Sequence, residues 1–138
     1  METGSVEGMC FCGRVRFELR MPTLFHVHCH CTMCRRAHGA GYVTWIRLAK
    51  EQLGFLSGEE ALTRYPSSER AIRSFCSHCG STLFFETTES PETVDVVRAN
   101  IEGAIDRDPQ LHVYFDDRVD WIEVSDKLPR IGDPAEFE

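Results

Sequence analysis

The stretch Phe75-Cys76-Ser77-His78-Cys79-Gly80-Ser81 decides how this chain folds. Two cysteines separated by two residues make a tight turn that aims both sulfurs at one metal ion, and the glycine behind them supplies the positive φ that such a knuckle requires. A closed structural zinc site takes four ligands, so this knuckle needs a second pair. Cys10-Phe11-Cys12-Gly13 offers one, with two sulfurs read onto one face of an extended segment and again a glycine to turn the exit. Joining the two pairs closes a loop of more than about 60 residues, at a chain-entropy cost on the order of 3.7 kcal/mol before the length-independent constant. Structural zinc contributes roughly 10 to 16 kcal/mol, so the metal wins. Cys10, Cys12, Cys76 and Cys79 are therefore predicted to hold a structural zinc.

The chain has seven cysteines, and the remaining three stand together in Cys29-His30-Cys31-Thr32-Met33-Cys34. Same-face strand sulfurs followed by a two-residue turn let these three thiolates converge on a second zinc. No eighth cysteine exists to complete a tetrahedron. Two completions stay open: His38, just behind Cys34, would close the site and make it structural, whereas water or substrate would leave it open for chemistry. His30 is a poor fourth ligand because strand alternation turns it away from Cys29 and Cys31. An odd cysteine count also argues against a disulfide framework and for metal or catalytic thiols.

Outward from these motifs the pattern is that of short strands. Val15, Phe17 and Leu19 alternate with charged residues, which is the period-two signature of a half-buried strand ended by Pro22. Phe25 to Cys31 alternates too, with His26, His28 and His30 read as the strand's outer, solvated face in preference to a separate histidine metal cluster. Further strands are expected over Tyr42–Leu48, Leu53–Leu56, Ala61–Tyr65, Ala71–Phe75, Thr82–Glu86, Thr93–Arg98, Leu111–Phe115 and Trp121–Val124. Turn signals stand at Pro66-Ser67-Ser68, Ser90-Pro91 and Asp106-Arg107-Asp108-Pro109. Helix is expected only in short pieces, after Cys34 and around Asn100–Ala104, and the tail from Asp126 to Glu138 reads as irregular. The whole is one mostly β domain over residues 1–138, with its core over about 6–130.

With 138 residues and 42% hydrophobic content the chain can bury one ordinary core. A net charge of −7 argues against a nucleic-acid partner on electrostatic grounds. No signal-peptide pattern opens the chain, and Leu83-Phe84-Phe85 is far too short to cross a bilayer, so a cytoplasmic protein without a membrane partner is expected. Arg14, Arg16, Arg35 and Arg36 flank the cysteine groups. They could offset thiolate–zinc charge, or Arg35 and Arg36 could bind a substrate anion through their guanidinium forks.

Taken together, Cys10-Phe11-Cys12-Gly13, Cys29-His30-Cys31-Thr32-Met33-Cys34-Arg35-Arg36-Ala37-His38-Gly39 and the opening knuckle closely resemble the glutathione-dependent formaldehyde-activating (GFA) enzyme family. His112-Val113-Tyr114, Asp116-Asp117, Trp121 and Leu128-Pro129 resemble that family's C-terminal signature, so the likeness runs over roughly residues 6 to 130. The resemblance implies an Mss4-like fold of several coiled antiparallel β-sheets around a structural zinc on Cys10, Cys12, Cys76 and Cys79. It also implies a catalytic zinc on Cys29, Cys31 and Cys34, and carbon–sulfur lyase chemistry of the kind that joins glutathione and formaldehyde into S-hydroxymethylglutathione.

Three thiolates make zinc electron-rich, so the second site suits sulfur better than water. The expected substrates are a small thiol and an aldehyde, with His38 as general base and Arg35 and Arg36 as anion contacts. The competing expectation is a non-catalytic, zinc-stapled β module that binds a protein partner.

Overall fold

The computed structural model describes residues 4–133. Eleven strands follow one another as β1 (Ser5–Met9), β2 (Arg16–Arg20), β3 (Phe25–Cys29), β4 (Val43–Ala49), β5 (Leu53–Ser57), β6 (Leu62–Ser68), β7 (Ala71–Cys76), β8 (Thr82–Thr87), β9 (Thr93–Val97), β10 (Ile101–Glu102) and β11 (Leu111–Val113). One α-helix, α1 (Thr32–His38), interrupts them between β3 and β4. Two sheets result, of order β10-β1-β2-β5 and β11-β3-β4-β9-β8-β7-β6. The pairings are antiparallel, apart from β11, which lies parallel to β3.

The predicted alternation places the core. Val15, Phe17 and Leu19 are fully buried, and they meet Ile46, Leu48, Leu83, Phe84, Val94 and Val96 of the larger sheet. Phe17 sets its ring edge-on to Phe84 at 5.0 Å between centroids. Side chains of this size are worth about 1.5 to 3 kcal/mol each when fully buried, so this layer is what holds the two sheets face to face. A second cluster of Val27, Trp45, Val97, Leu111 and Val113 surrounds Cys29, Cys31 and Cys34.

Several expectations need correction. Trp121–Val124 is irregular chain rather than a strand. Pro66 does not end its strand, because β6 is a sheet edge that tolerates proline, and the register shifts between Pro66 and Ser68. Around Asn100 a 3-10 turn over Arg98–Asn100 leads into β10 instead of a helix. The alternation of sequence gave no warning of β1, whose Gly8 is required because a Cβ there would stand 2.5 Å from the Phe17 ring. The irregular tail is seen through Asp133, and residues 134–138 lie outside the described residues. Among the described residues no helix is long and apolar enough to cross a membrane.

Candidate metal centres

Cys10 and Cys12 lie in the turn between β1 and β2, Cys76 ends β7, and Cys79 lies in the turn between β7 and β8. Each turn is a knuckle: the Gly13 N–H donates to the Cys10 carbonyl at 3.1 Å, and the Gly80 N–H to the Cys76 carbonyl at 2.8 Å. Both glycines adopt φ of 80°, the left-handed region that the sequence reading required of them. Cys10-x-Cys12 is thus a turn, not the extended segment expected. One sulfur from each of the four cysteines falls within 4.8 Å of the others.

The spacing identifies what such a group can hold. Sγ of Cys10 and Cys12 are 3.6 Å apart and those of Cys12 and Cys76 are 3.8 Å apart. Four sulfurs around zinc at about 2.3 Å stand roughly 3.8 Å from one another, whereas a disulfide requires about 2.05 Å. The donor set and its spacing therefore fit a tetrahedral metal. Because one knuckle belongs to the smaller sheet and the other to the larger, a shared ion would tie the two sheets together at one end. Phe11 N–H reinforces the join by donating to Ser81 Oγ at 2.8 Å. Burial pushes the Cys79 thiol up, but hydrogen bonds from the Ser81 hydroxyl and backbone outweigh it and bring the value to about 5. Arg16 does not serve this centre, since its guanidinium pairs with Glu7 at 2.8 Å.

Cys29 ends β3, Cys31 caps α1 and Cys34 lies in its first turn. The Cys31 sulfur accepts the Cys34 N–H at 3.2 Å, an N-cap made by a metal-type ligand. Gly39 closes the helix in the left-handed region with φ of 60°, so His38 sits at the end of α1 and not near its start. The three sulfurs lie within 4.8 Å of one another, and Cys29 and Cys34 are 3.7 Å apart. His38 is not part of that group. The triplet is buried, and the hydrogen bonds among its thiols raise Cys29 and lower Cys34, with Arg73 adding to the lowering of Cys34.

Arg73 is the residue that sequence reasoning missed. It sits in β7, is 7% exposed, donates from Nη2 to Cys34 Sγ at 3.6 Å, and lays its guanidinium over the Phe85 ring. Its Nη1 is buried without a partner. The available signal was a cation inside the apolar strand run Ala71–Cys76, but only the β7–β8–β9–β4 sheet order brings it to a cysteine 39 residues away.

The other predicted residues divide. His38 meets Trp45 edge-on, and its Nε2 is buried without a partner. Burial holds its imidazole below the ordinary value, partly offset by the negative charge of Cys34. Arg35 donates to the Asp117 carbonyl at 2.9 Å and so ties α1 to the C-terminal segment. Arg36 is exposed. Below the triplet Asp95 pairs with Arg47 at 2.7 Å, yet burial dominates and lifts its carboxyl to about 6.

The expectation that His26, His28 and His30 form a solvated face is overturned. His26 is 3% and His30 1% exposed, because Arg107 and Gln110 before β11 cover the first and His112 and Phe115 cover the second. His26 bonds the Arg107 carbonyl at 2.9 Å, His30 bonds His112 at 2.8 Å, and His112 in turn bonds Asp126 at 2.9 Å.

Comparison with known proteins follows the same lines. The family model described as glutathione-dependent formaldehyde-activating enzyme matches residues 5–117. A Halomonas elongata protein that carries this family's name is 29% identical over 130 residues, spanning 88% of this chain and 82% of its own. A Schizosaccharomyces pombe protein named as an uncharacterized lyase is 26% identical over 121 residues, spanning 88% of this chain and 86% of its own. A crystal structure of a Rhodobacter sphaeroides protein aligns with a TM-score of 0.60 at 29% identity, covering 71% of this chain and 89% of that one.

Proposed function

The chain belongs to the glutathione-dependent formaldehyde-activating enzyme family, and from that premise we propose that it is a carbon–sulfur lyase that makes or cleaves a thiol–aldehyde adduct of the S-hydroxymethylglutathione type. The observation that carries this reading is the triplet itself: three buried sulfurs within 4.8 Å of one another, with His38 outside their group. Cys10, Cys12, Cys76 and Cys79 would hold a structural zinc, and Cys29, Cys31 and Cys34 a second zinc with one position left for substrate. A zinc bound there supplies a Lewis acid that stabilises a substrate sulfur as thiolate.

The protein's own residues supply the rest. Arg73 keeps Cys34 in its anionic, ligating form by placing a guanidinium against the sulfur. His38, held toward its neutral form by burial and with Nε2 unpartnered, takes the proton from the hydroxymethyl oxygen as carbon and sulfur part, and returns it when they join. Trp45 and Phe85 pack into the apolar cluster around the triplet and give the site an aromatic wall. Arg36 is the freer contact for a substrate carboxylate, since Arg35 is committed to Asp117. A cytoplasmic location accords with free thiols and small thiol substrates.

The test is isotope exchange between free formaldehyde and its glutathione adduct, followed by NMR with a panel of other thiols alongside. Exchange above the uncatalysed rate for at least one pair, lost in Cys31→Ser, supports the reading. No acceleration with any pair by a zinc-loaded, folded protein overturns it.

A further inference from the structure

The buried histidine side of β3 carries a cluster that the thiol chemistry leaves unused. One ligand atom each from His28, His112 and Asp126 lies within 4.8 Å of the others. The topology explains the encounter, because β11 runs parallel to β3 with His112 directly beside His28. Asp126 arrives from the C-terminal segment, where the Leu128 N–H donates to its Oδ1 at 3.0 Å and Arg130 bonds the Val124 and Asp126 carbonyls.

We infer that His28, His112 and Asp126 form a third metal site, of two imidazoles and one carboxylate, for a divalent transition cation of the zinc or cobalt type. Two imidazole nitrogens and a carboxylate oxygen are a donor set of intermediate softness that suits such ions rather than magnesium or calcium. The rings are already aimed. His28 Nδ1 bonds Thr44 Oγ1 at 2.7 Å, which leaves Nε2 as its ligand atom, and His112 Nδ1 faces His30 Nε2 at 2.8 Å. Second partners of this kind fix tautomer and ring orientation in metal-binding histidines.

The proton balance closes within the cluster. Asp126 only accepts, so without metal His112 carries its proton on Nε2, and His30 donates from Nε2 to His112 Nδ1, leaving His30 Nδ1 buried without a partner. A cation takes the place of the proton between His112 Nε2 and Asp126. His112 then donates from Nδ1 to His30 Nε2, and the His30 proton moves to its Nδ1, so neither ring changes charge. The His112–Asp126 separation of 2.9 Å needs to open by only about half an ångström to reach the ligand–ligand spacing of a tetrahedral shell with bonds of about 2.0 to 2.1 Å.

Alternation along β3 sends His28 to the face opposite Cys29, so the third site is separate from the thiol triplet. Asp126 is 43% exposed, which gives a cation a way in from solvent. The Arg130 guanidinium, 3.5 Å from Asp126 Oδ1, opposes cation binding and makes this centre weaker than those built of thiolates.

The experiment loads the full chain with two equivalents of zinc and then titrates cobalt, reading both bound cobalt and its optical spectrum. One further cobalt per chain is expected, without thiolate charge-transfer bands, and bound at least about tenfold more weakly in both Asp126→Asn and His28→Gln. Asp126→Asn changes an exposed side chain and keeps an acceptor for His112, so it remains decisive if His28→Gln fails to fold. No further cobalt, thiolate bands in the added equivalent, or unchanged affinity in Asp126→Asn would each overturn the inference.

Discussion

A guanidinium nitrogen of Arg73 lies 3.6 Å from the sulfur of Cys34, and both side chains are buried. A buried cation facing a buried thiol favours the thiolate, and hydrogen bonds involving a charged partner are worth about 1.5 to 3 kcal/mol. Arg73→Gln should therefore weaken metal binding at the triplet by roughly one to two powers of ten while leaving the quartet unchanged. Competition with a chelator, read as two separate release steps, checks this. Equal weakening of both steps would contradict the role assigned to Arg73.

The two cysteine groups should respond differently to loss of one ligand. Cys79→Ser removes one sulfur of the group that would join the two sheets through its metal, and is expected to lower the melting temperature sharply or abolish folding. Cys31→Ser should leave the far-ultraviolet circular dichroism near wild type, since strand pairing and the main core do not run through the triplet. Thermal melts of the two variants side by side decide the matter.

Gly58 adopts φ of 77°, and a Cβ on it would stand 2.0 Å from the Arg14 carbonyl oxygen. That neighbour is backbone and cannot swing away. Gly58→Ala combines a left-handed alanine, about 1 to 2 kcal/mol, with overpacking of about 1 to 3 kcal/mol. A denaturant midpoint lowered at unchanged slope is the expected result, and near-wild-type stability would show that the turn relaxes.

Much of this is legible in the sequence. The knuckle glycines, the Val15–Phe17–Leu19 alternation and the two cysteine groups all depend on residues close in sequence, where local geometry dictates the outcome. Arg73 and the histidine cluster were not legible, because each depends on which strands neighbour one another. His28 meets His112 only through the parallel β3–β11 pair, and the alternation that correctly set the histidines opposite the cysteines could not say that a later segment would cover them. Trp121 and its neighbours have strand-like composition but find no sheet edge.

Two aspartates give stability a pH dependence of opposite sign. Burial raises Asp95 to about 6 against an ordinary 3.8, so the folded state binds this proton more tightly than the unfolded one. Its contribution therefore improves as pH falls from 6 toward 4 and is lost on the way up. Asp106 stands below its ordinary value: burial opposes this, but the Thr23 hydroxyl at 2.9 Å, the Thr23 N–H and Arg107 prevail. Its stabilisation is whole above 3.8 and disappears as pH falls through the lowered value. Denaturant unfolding of Asp95→Asn and Asp106→Asn against wild type across pH 3 to 7 should show the first difference between about 4 and 6 and the second only below about 4.

The central claim is that the triplet binds metal through three sulfurs and keeps one position for a substrate thiol. X-ray absorption at the zinc edge of protein carrying two zinc per chain measures this directly. An average of roughly 3.5 sulfurs per zinc, rising toward 4 on addition of glutathione, is the predicted result. An imidazole signature at the second zinc, with no change when glutathione is added, would contradict it.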